Sequence, residues 1–221
     1  RRALFLLWLL CCLAPFGAAA KKPIEYRRTL FLTVAQKQLM LELPPGLCFF
    51  DQSSPREQAL IKPLRDRVEK RGDQAFLAAF SDCNAIAGLG GADGAETTAR
   101  FNSGFIAWAN PMIGPETPLD LQKYLDMRSE SFDTYARTSI SRAEGFKVDK
   151  KPRRTASGVA ITMTGDIMAD GVRQKGITLL AATSLRHIPL EITLNYGGKN
   201  VLSADTLYRI VDKFMAQQIA L

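Results

Sequence analysis

Apolar and polar residues alternate with a period of two in several short segments of the chain, which is typical of half-buried β-strands. In residues 39–43, for example, the leucines alternate with Met40 and Glu42. Pro and Gly separate many of these segments, and both residues favour turns. The predicted strands are residues 29–34, 39–43, 47–50, 74–83, 100–112, 158–168, 172–183 and 188–196. Pro189 indicates that the last strand lies at an edge or begins late.

Three segments have the 3.6-residue period of amphipathic helices. The first follows Ser54, whose hydroxyl can cap a helix that starts with Pro55 and has Glu57 three residues after the cap. Thr117 begins a second segment in the same way. The third segment, residues 203–221, ends the sequence, and its apolar face predicts that it lies across the sheet.

The order of these elements favours the α+β class. Strands come first, then a helix, strands, a second helix, a three-stranded meander and the last helix. Helices separated by antiparallel strands predict a mainly antiparallel sheet flanked by helices, an α/β/α sandwich. The predicted domains are a signal peptide at residues 1–20 and a single α+β domain at residues 21–221.

The first residues have the pattern of a secretory signal peptide. Two arginines, Arg1 and Arg2, precede an apolar run at residues 3–13, and the small residues Ala18–Ala20 provide a cleavage site. The apolar run is too short to span a bilayer core of about 30 Å comfortably. The pattern predicts a cleaved signal and a periplasmic or secreted protein. An uncleaved anchor and lipidation at Cys11 or Cys12 remain alternatives.

The chain has four cysteines, and removal of the signal leaves Cys48 and Cys83. Because disulfides persist in exported proteins, these two residues are predicted to form a structural disulfide. A reactive or metal-binding pair is the alternative, but their spacing does not match a C-x-x-C motif. The sequence contains no Asn-x-Ser/Thr acceptor, which favours a bacterial periplasm over a eukaryotic secretory route.

Charge and glycine content argue against nucleic-acid and nucleotide binding. The chain has 29 basic and 22 acidic residues, a net charge of +7, and most of the basic residues are scattered. They cluster at residues 147–154, which predicts a solvated loop or a contact with anionic lipid or an acidic partner. The Gly-rich residues 85–99 lack the spacing of a phosphate loop and predict a flexible loop.

No catalytic, cofactor or metal motif is found in the sequence. His187 is the only histidine, and a turn position makes it a weak candidate for a hydrolase. A G-x-S-x-G nucleophile motif is absent. Asp166 and Asp170 do not have the oxygen-ligand spacing of a calcium loop. We therefore expect no cofactor and no metal, and an enzyme is the less favoured reading.

The C-terminal third resembles a known family. Its segments GITLLAATS, LEITLNYGG and TLYRIVDKFMAQQI are similar to the end of the PsbP-like and Mog-like proteins. That resemblance implies an α/β/α sandwich with a central antiparallel sheet and an accessory or binding module without enzymatic activity. It carries over no functional residue.

Two functions follow as hypotheses. The first is an exported, non-enzymatic accessory or binding domain of the bacterial cell envelope, with an envelope protein or a membrane surface as its partner. The second is a periplasmic carrier of a small ligand or lipid, with a pocket lined by aromatic residues. The candidate lining residues are Phe101, Phe105, Trp108, Tyr124 and Phe132. The oligomeric state is left open.

Overall fold

The computed structural model describes most of the predicted domain. The described residues are 27–89, 103–109, 120–140, 147–148, 151–155, 157–169, 172–197 and 203–218. The predicted signal peptide and most of the Gly-rich segment lie outside these ranges. Within them, no helix is both long enough and apolar enough to cross a membrane.

The described ranges form ten strands and four helices. The strands are β1 (Thr29–Val34), β2 (Lys37–Glu42), β3 (Leu47–Phe49), β4 (Gln74–Asp82), β5 (Ser103–Ala109), β6 (Lys147–Val148), β7 (Arg153–Arg154), β8 (Gly158–Ala169), β9 (Val172–Leu185) and β10 (Ile188–Gly197). The helices are α1 (Pro55–Glu69), α2 (Cys83–Gly88), α3 (Leu121–Ile140) and α4 (Ala204–Gln218).

One antiparallel sheet organises the fold. Its strand order is β3-β4-β5-β10-β9-β8-β6, and β7 also pairs with β8. Strands β1 and β2 form a separate hairpin. The meander β8-β9-β10 is built as predicted, with β8 and β9 paired from Gly158 to Ala169.

The two faces of the sheet bury different helices. On one face, α4 and the β1-β2 hairpin pack on the main core, which includes Leu41, Ile106 and Leu207. On the other face, α3 packs through Leu125, and α1 packs near the other end through Ile61. Helices therefore cover both faces of an antiparallel sheet, and the predicted α/β/α sandwich is confirmed.

Local signals explain most helix starts. Helix α1 begins at Pro55 as predicted, and the Ser54 hydroxyl accepts a hydrogen bond from the Glu57 N–H at 3.4 Å. The predicted start of the second helix at Thr117 is too early. Helix α3 begins after Asp120, whose carboxylate accepts from the Lys123 N–H at 3.1 Å. Thr117 itself lies outside the described residues.

Two further sequence predictions are corrected. Residues 83–88, expected as the end of a strand and part of a loop, form α2, because the Asp82 carboxylate caps the helix and Ile86 is buried beneath it. An edge position for Pro189 is wrong, since β10 lies between β5 and β9. The strand does not begin late either, because β10 starts at Ile188 and Pro189 pairs with Ser184 of β9. Pairing with β5 starts at Leu190, so at Pro189 the strand is paired on the β9 side alone.

The predicted disulfide is present. The sulfur atoms of Cys48 and Cys83 are 1.97 Å apart and their Cα atoms are 4.9 Å apart. The bond joins edge strand β3 to the first residue of α2, beside the apolar cluster beneath α1. It therefore ties the short strand β3 to the segment that leaves β4.

Two tight turns hold the β1-β2 hairpin against the main sheet. Lys37 Nζ donates to the Arg186 carbonyl at 3.0 Å, and Arg186 Nη1 donates to the Gln38 carbonyl at 3.2 Å. Arg186 and His187, in the turn between β9 and β10, have positive φ angles. So do Ala35 and Gln36, in the turn between β1 and β2. These left-handed conformations fit two-residue hairpin turns, although no Asn-Gly or Asp-Gly pair marks them.

Gly104 is required by close packing. A Cβ atom at this position would lie 2.3 Å from Phe80 Cζ and 2.6 Å from the Thr193 carbonyl oxygen. Because a backbone oxygen cannot move out of the way, we expect Gly104→Ala to lower the free energy of unfolding by about 1–3 kcal/mol. Urea denaturation measures this loss. In a Phe80→Ala background only the contact with the Thr193 oxygen remains, so the loss should be smaller. An equal loss in both backgrounds would show that the Phe80 ring does not contribute, and no loss in either would contradict the packing explanation.

Candidate functional site

A cavity of about 590 Å³ lies between the sheet and helices α1 and α3. On the sheet side, the cavity is lined by side chains from β4, β5, β8, β9 and β10. Val148 of β6 also lines the cavity. The volume is within the range of small-molecule sites, about 300–1,000 Å³. This face of the sheet is therefore only partly filled by the helices above it.

One wall of the cavity is apolar. It contains the rings of Phe105 from β5 and Phe132 from α3, together with Met163 and Leu180 from the sheet. Phe132 is buried in the cluster that holds α3 on the sheet, so its ring is a fixed part of the wall. This wall can bury the apolar part of a ligand.

A polar cluster lies among these apolar residues. Arg128 Nη2 is 2.6 Å from Glu191 Oε2, and Gln74 Nε2 donates a hydrogen bond to the same oxygen at 2.6 Å. The Arg128 guanidinium also lies over the Phe132 ring, 5.2 Å from its centroid. The side chains of Arg128 and Glu191 are 19% and 10% exposed, so the pair is largely removed from water.

Burial changes the titration of this cluster. It raises the pKa of Glu191 above its ordinary value of 4.5, while the positive charge of Arg128 acts in the opposite direction and the negative charge of Asp73 adds to the rise. Among the described residues, Gln74 Oε1 and Arg128 Nε are buried without a hydrogen-bond partner. The cluster therefore has unused capacity to form hydrogen bonds.

The predicted aromatic lining is only partly correct. Phe105 and Phe132 line the cavity, whereas Trp108 packs against the main core on the opposite face of the sheet. The reason is the two-residue period of a strand, which puts positions three apart on opposite faces. Tyr124 lies in the α3 cluster rather than in the cavity wall. Phe101 lies outside the described residues.

Tyr124 has a structural role. Its hydroxyl donates to the Leu190 carbonyl at 3.3 Å, and burial raises its pKa above the ordinary value. The hydrogen bond fixes α3 against β10, one residue away from Glu191. It thus positions the helix that carries Arg128.

Sequence reasoning missed the polar cluster because its members are far apart in the chain. Gln74 and Glu191 are separated by 117 residues. One signal was available, since Glu191 interrupts the otherwise apolar run IPLEI at a position that faces α3. An acid within such a run indicates a buried partner of opposite charge.

The other candidate residues lie elsewhere. His187 is exposed in the turn between β9 and β10 and does not line the cavity. Asp166 is 2.8 Å from Lys175 Nζ, and Asp170 lies outside the described residues. No group of three or more potential metal ligands occurs in the described part of the chain.

The basic segment at residues 147–154 includes two short strands. It contains β6 and β7, which both pair with β8. The Arg153 guanidinium lies 5.1 Å from the centroid of the Tyr208 ring, and Arg154 forms an ion pair with Asp126. The predicted loop is therefore wrong for β6 and β7, which are strands, whereas Lys147, Arg153 and Arg154 are exposed to solvent as predicted.

Comparisons with known proteins do not assign a family. No protein-family model matches the chain, and a search of curated proteins finds no significant match. Among solved structures, LpqN of Mycobacterium tuberculosis, described as involved in cell envelope biogenesis, is similar, with 12% sequence identity and a TM-score of 0.34. The match covers 89% of this chain and 90% of LpqN.

A likeness at that TM-score establishes neither a common fold nor a common function. None of the comparisons shows the resemblance to the PsbP-like and Mog-like proteins, which stays a prediction. The α/β/α layering is established by the sheet and helices of this chain.

Proposed function

We propose that this protein is an exported binding domain of the bacterial cell envelope that holds a small amphipathic ligand in the cavity between the sheet and helices α1 and α3. The observation that carries the proposal is the cavity of about 590 Å³, which combines an apolar wall with the Arg128–Glu191 cluster. Sites of this kind use apolar surface for affinity and a few polar groups for orientation.

Two features support export. Residues 1–20 have the pattern of a signal peptide, and the Cys48–Cys83 disulfide suits an oxidising compartment. An envelope protein or a membrane surface as the partner remains a prediction of the sequence. Such a partner is compatible with a carrier that receives or delivers its ligand at the envelope.

Filling the cavity should abolish binding. Ser131 of α3 lines the cavity, so an indole at this position occupies space that the ligand needs. We expect native mass spectrometry of protein purified from its own host to detect a bound small molecule with the unaltered chain. The Ser131→Trp variant should lose that mass. The same spectra report whether residues 1–20 have been removed.

Gln122→Trp is the matched control. Gln122 is exposed on the same helix and does not line the cavity, so this variant should keep the ligand. A ligand-free mass for the unaltered protein, or full retention of the ligand by Ser131→Trp, would count against the proposal.

A further inference from the structure

Two arginines at the α1 side of the cavity have no ionic partner among the residues that the structure describes. Arg67 lies in the last turn of α1 and Arg71 two residues beyond its end, and both line the cavity with exposed side chains. Neither forms an ion pair or a side-chain hydrogen bond with any residue in the described ranges. Arg67 complements the carboxyl-terminal end of the α1 dipole, but that role does not require Arg71.

Most other charges around the cavity are neutralised within the protein. Arg128 is paired with Glu191, and Asp166 with Lys175. Asp73 is the remaining acid among the described residues that line the cavity. Once the pairing of Asp166 with Lys175 outside the cavity lining is counted, Asp73 against two arginines leaves an excess of one positive charge at the α1 end.

We propose that the ligand carries an anionic head group, a carboxylate or a phosphate, on an apolar chain. Arg67 and Arg71 bind the head group at the α1 end, and the chain lies along the apolar wall formed by Phe105, Phe132 and Leu180. This inference rests on the proposed function, since it names the class of ligand for the same cavity.

The chemistry of arginine supports this choice. Its planar guanidinium donates two parallel hydrogen bonds to a carboxylate or phosphate, and these charge-assisted bonds are stronger than bonds between neutral groups. A cationic head group would be repelled by the same two side chains, and a neutral head group would gain no charge-assisted hydrogen bond from them. The apolar wall provides affinity that is independent of the head group.

Binding of a matched set of amphiphiles tests the inference. Isothermal titration of the mature protein would use dodecanoate, dodecyl phosphate, dodecyl maltoside and dodecyltrimethylammonium, each below its micelle concentration. We expect the two anions to bind about tenfold or more tightly than the neutral and cationic compounds. A comparison of the two anions identifies which head group is preferred.

The outcomes separate the two proposals. If none of the four compounds binds, both the ligand-binding function and the anionic head group are overturned. Equal binding of all four would support the cavity as a site for apolar chains and would overturn the anionic head group. Tighter binding of dodecyltrimethylammonium than of the two anions would also overturn the anionic head group.

Substitution of the arginines provides an independent test. Arg67→Gln/Arg71→Gln should weaken binding of the preferred anion about tenfold or more and leave dodecyl maltoside within about twofold. The control Arg56→Gln/Lys70→Gln removes the same charge from exposed positions of α1 and its C-cap that do not line the cavity. An equal loss of anion binding in both variants would show that general charge, rather than these two arginines, is responsible.

Discussion

Replacing both Cys48 and Cys83 with alanine is expected to lower the free energy of unfolding by about 4 kcal/mol. The two residues are 35 positions apart, and closure of a loop of that length restricts the unfolded chain by about this amount. Alanine is preferred to serine because Cys48 is fully buried, and a hydroxyl there would need a hydrogen-bond partner. For a domain of this size, the loss corresponds to a decrease in Tm of roughly 10 °C.

Thermal unfolding with and without dithiothreitol measures the effect. The reductant should lower the Tm of the unaltered protein towards that of the double variant and leave the variant unchanged. A control variant with alanine at two other buried positions keeps the disulfide, so the reductant should lower its Tm as it does that of the unaltered protein. If the double variant and the unaltered protein unfold at the same temperature, the disulfide does not stabilise this fold.

Removing Glu191 is expected to have the second large effect. Glu191→Ala leaves the Arg128 guanidinium largely buried without its counter-ion, and arginine cannot release its proton. Breaking a buried pair in this way costs about 3–5 kcal/mol, and the 19% exposure of Arg128 favours the lower end of that range. Urea denaturation at pH 7 measures the loss.

Arg128→Met should have a smaller and pH-dependent effect, because a carboxyl can become neutral by binding a proton. Burial raises the pKa of Glu191 in the folded protein, and loss of Arg128 raises it further. The folded state therefore binds the proton more tightly than the unfolded state. In this variant the contribution of Glu191 to stability is greatest below its ordinary pKa of 4.5 and is lost as the pH rises from there through the raised pKa of the folded state.

A surface pair on the same helix provides the control. Arg137 is 2.7 Å from Asp133, but its side chain is 77% exposed. Because exposed pairs contribute about 0–1 kcal/mol, Arg137→Met should change stability little and should not add a pH dependence above pH 4.5. If Arg128→Met and Arg137→Met lowered the free energy of unfolding equally, the buried pair would be no more important for stability than the exposed one.

The sequence was sufficient to predict the elements that depend on local signals. The Ser54-Pro55 start of α1 and the three strands of the meander follow from capping and from hydrophobic period, both of which act over a few residues. Local signals also explain the errors. Thr117 and Asp120 both have capping side chains, and α3 begins after Asp120.

Sheet order and the cavity could not be predicted in this way. Pro189 indicated an edge or a late beginning, but β10 starts at Ile188 and lies between β5 and β9, which only the strand pairing shows. The aromatic residues were grouped by type, although Phe105 and Trp108 are three positions apart and must face opposite sides of a strand.

The sequence by itself determined the α+β class, the α1 helix with its cap and the Cys48–Cys83 pairing. In each case, composition or short-range spacing leaves few alternatives. Only the tertiary structure placed Gln74, Arg128 and Glu191 in one cluster and brought Arg67 and Arg71 to the same cavity. Those contacts join segments that are distant in the chain, and they depend on strand order and on the angle at which helices pack on the sheet, neither of which local periodicity specifies.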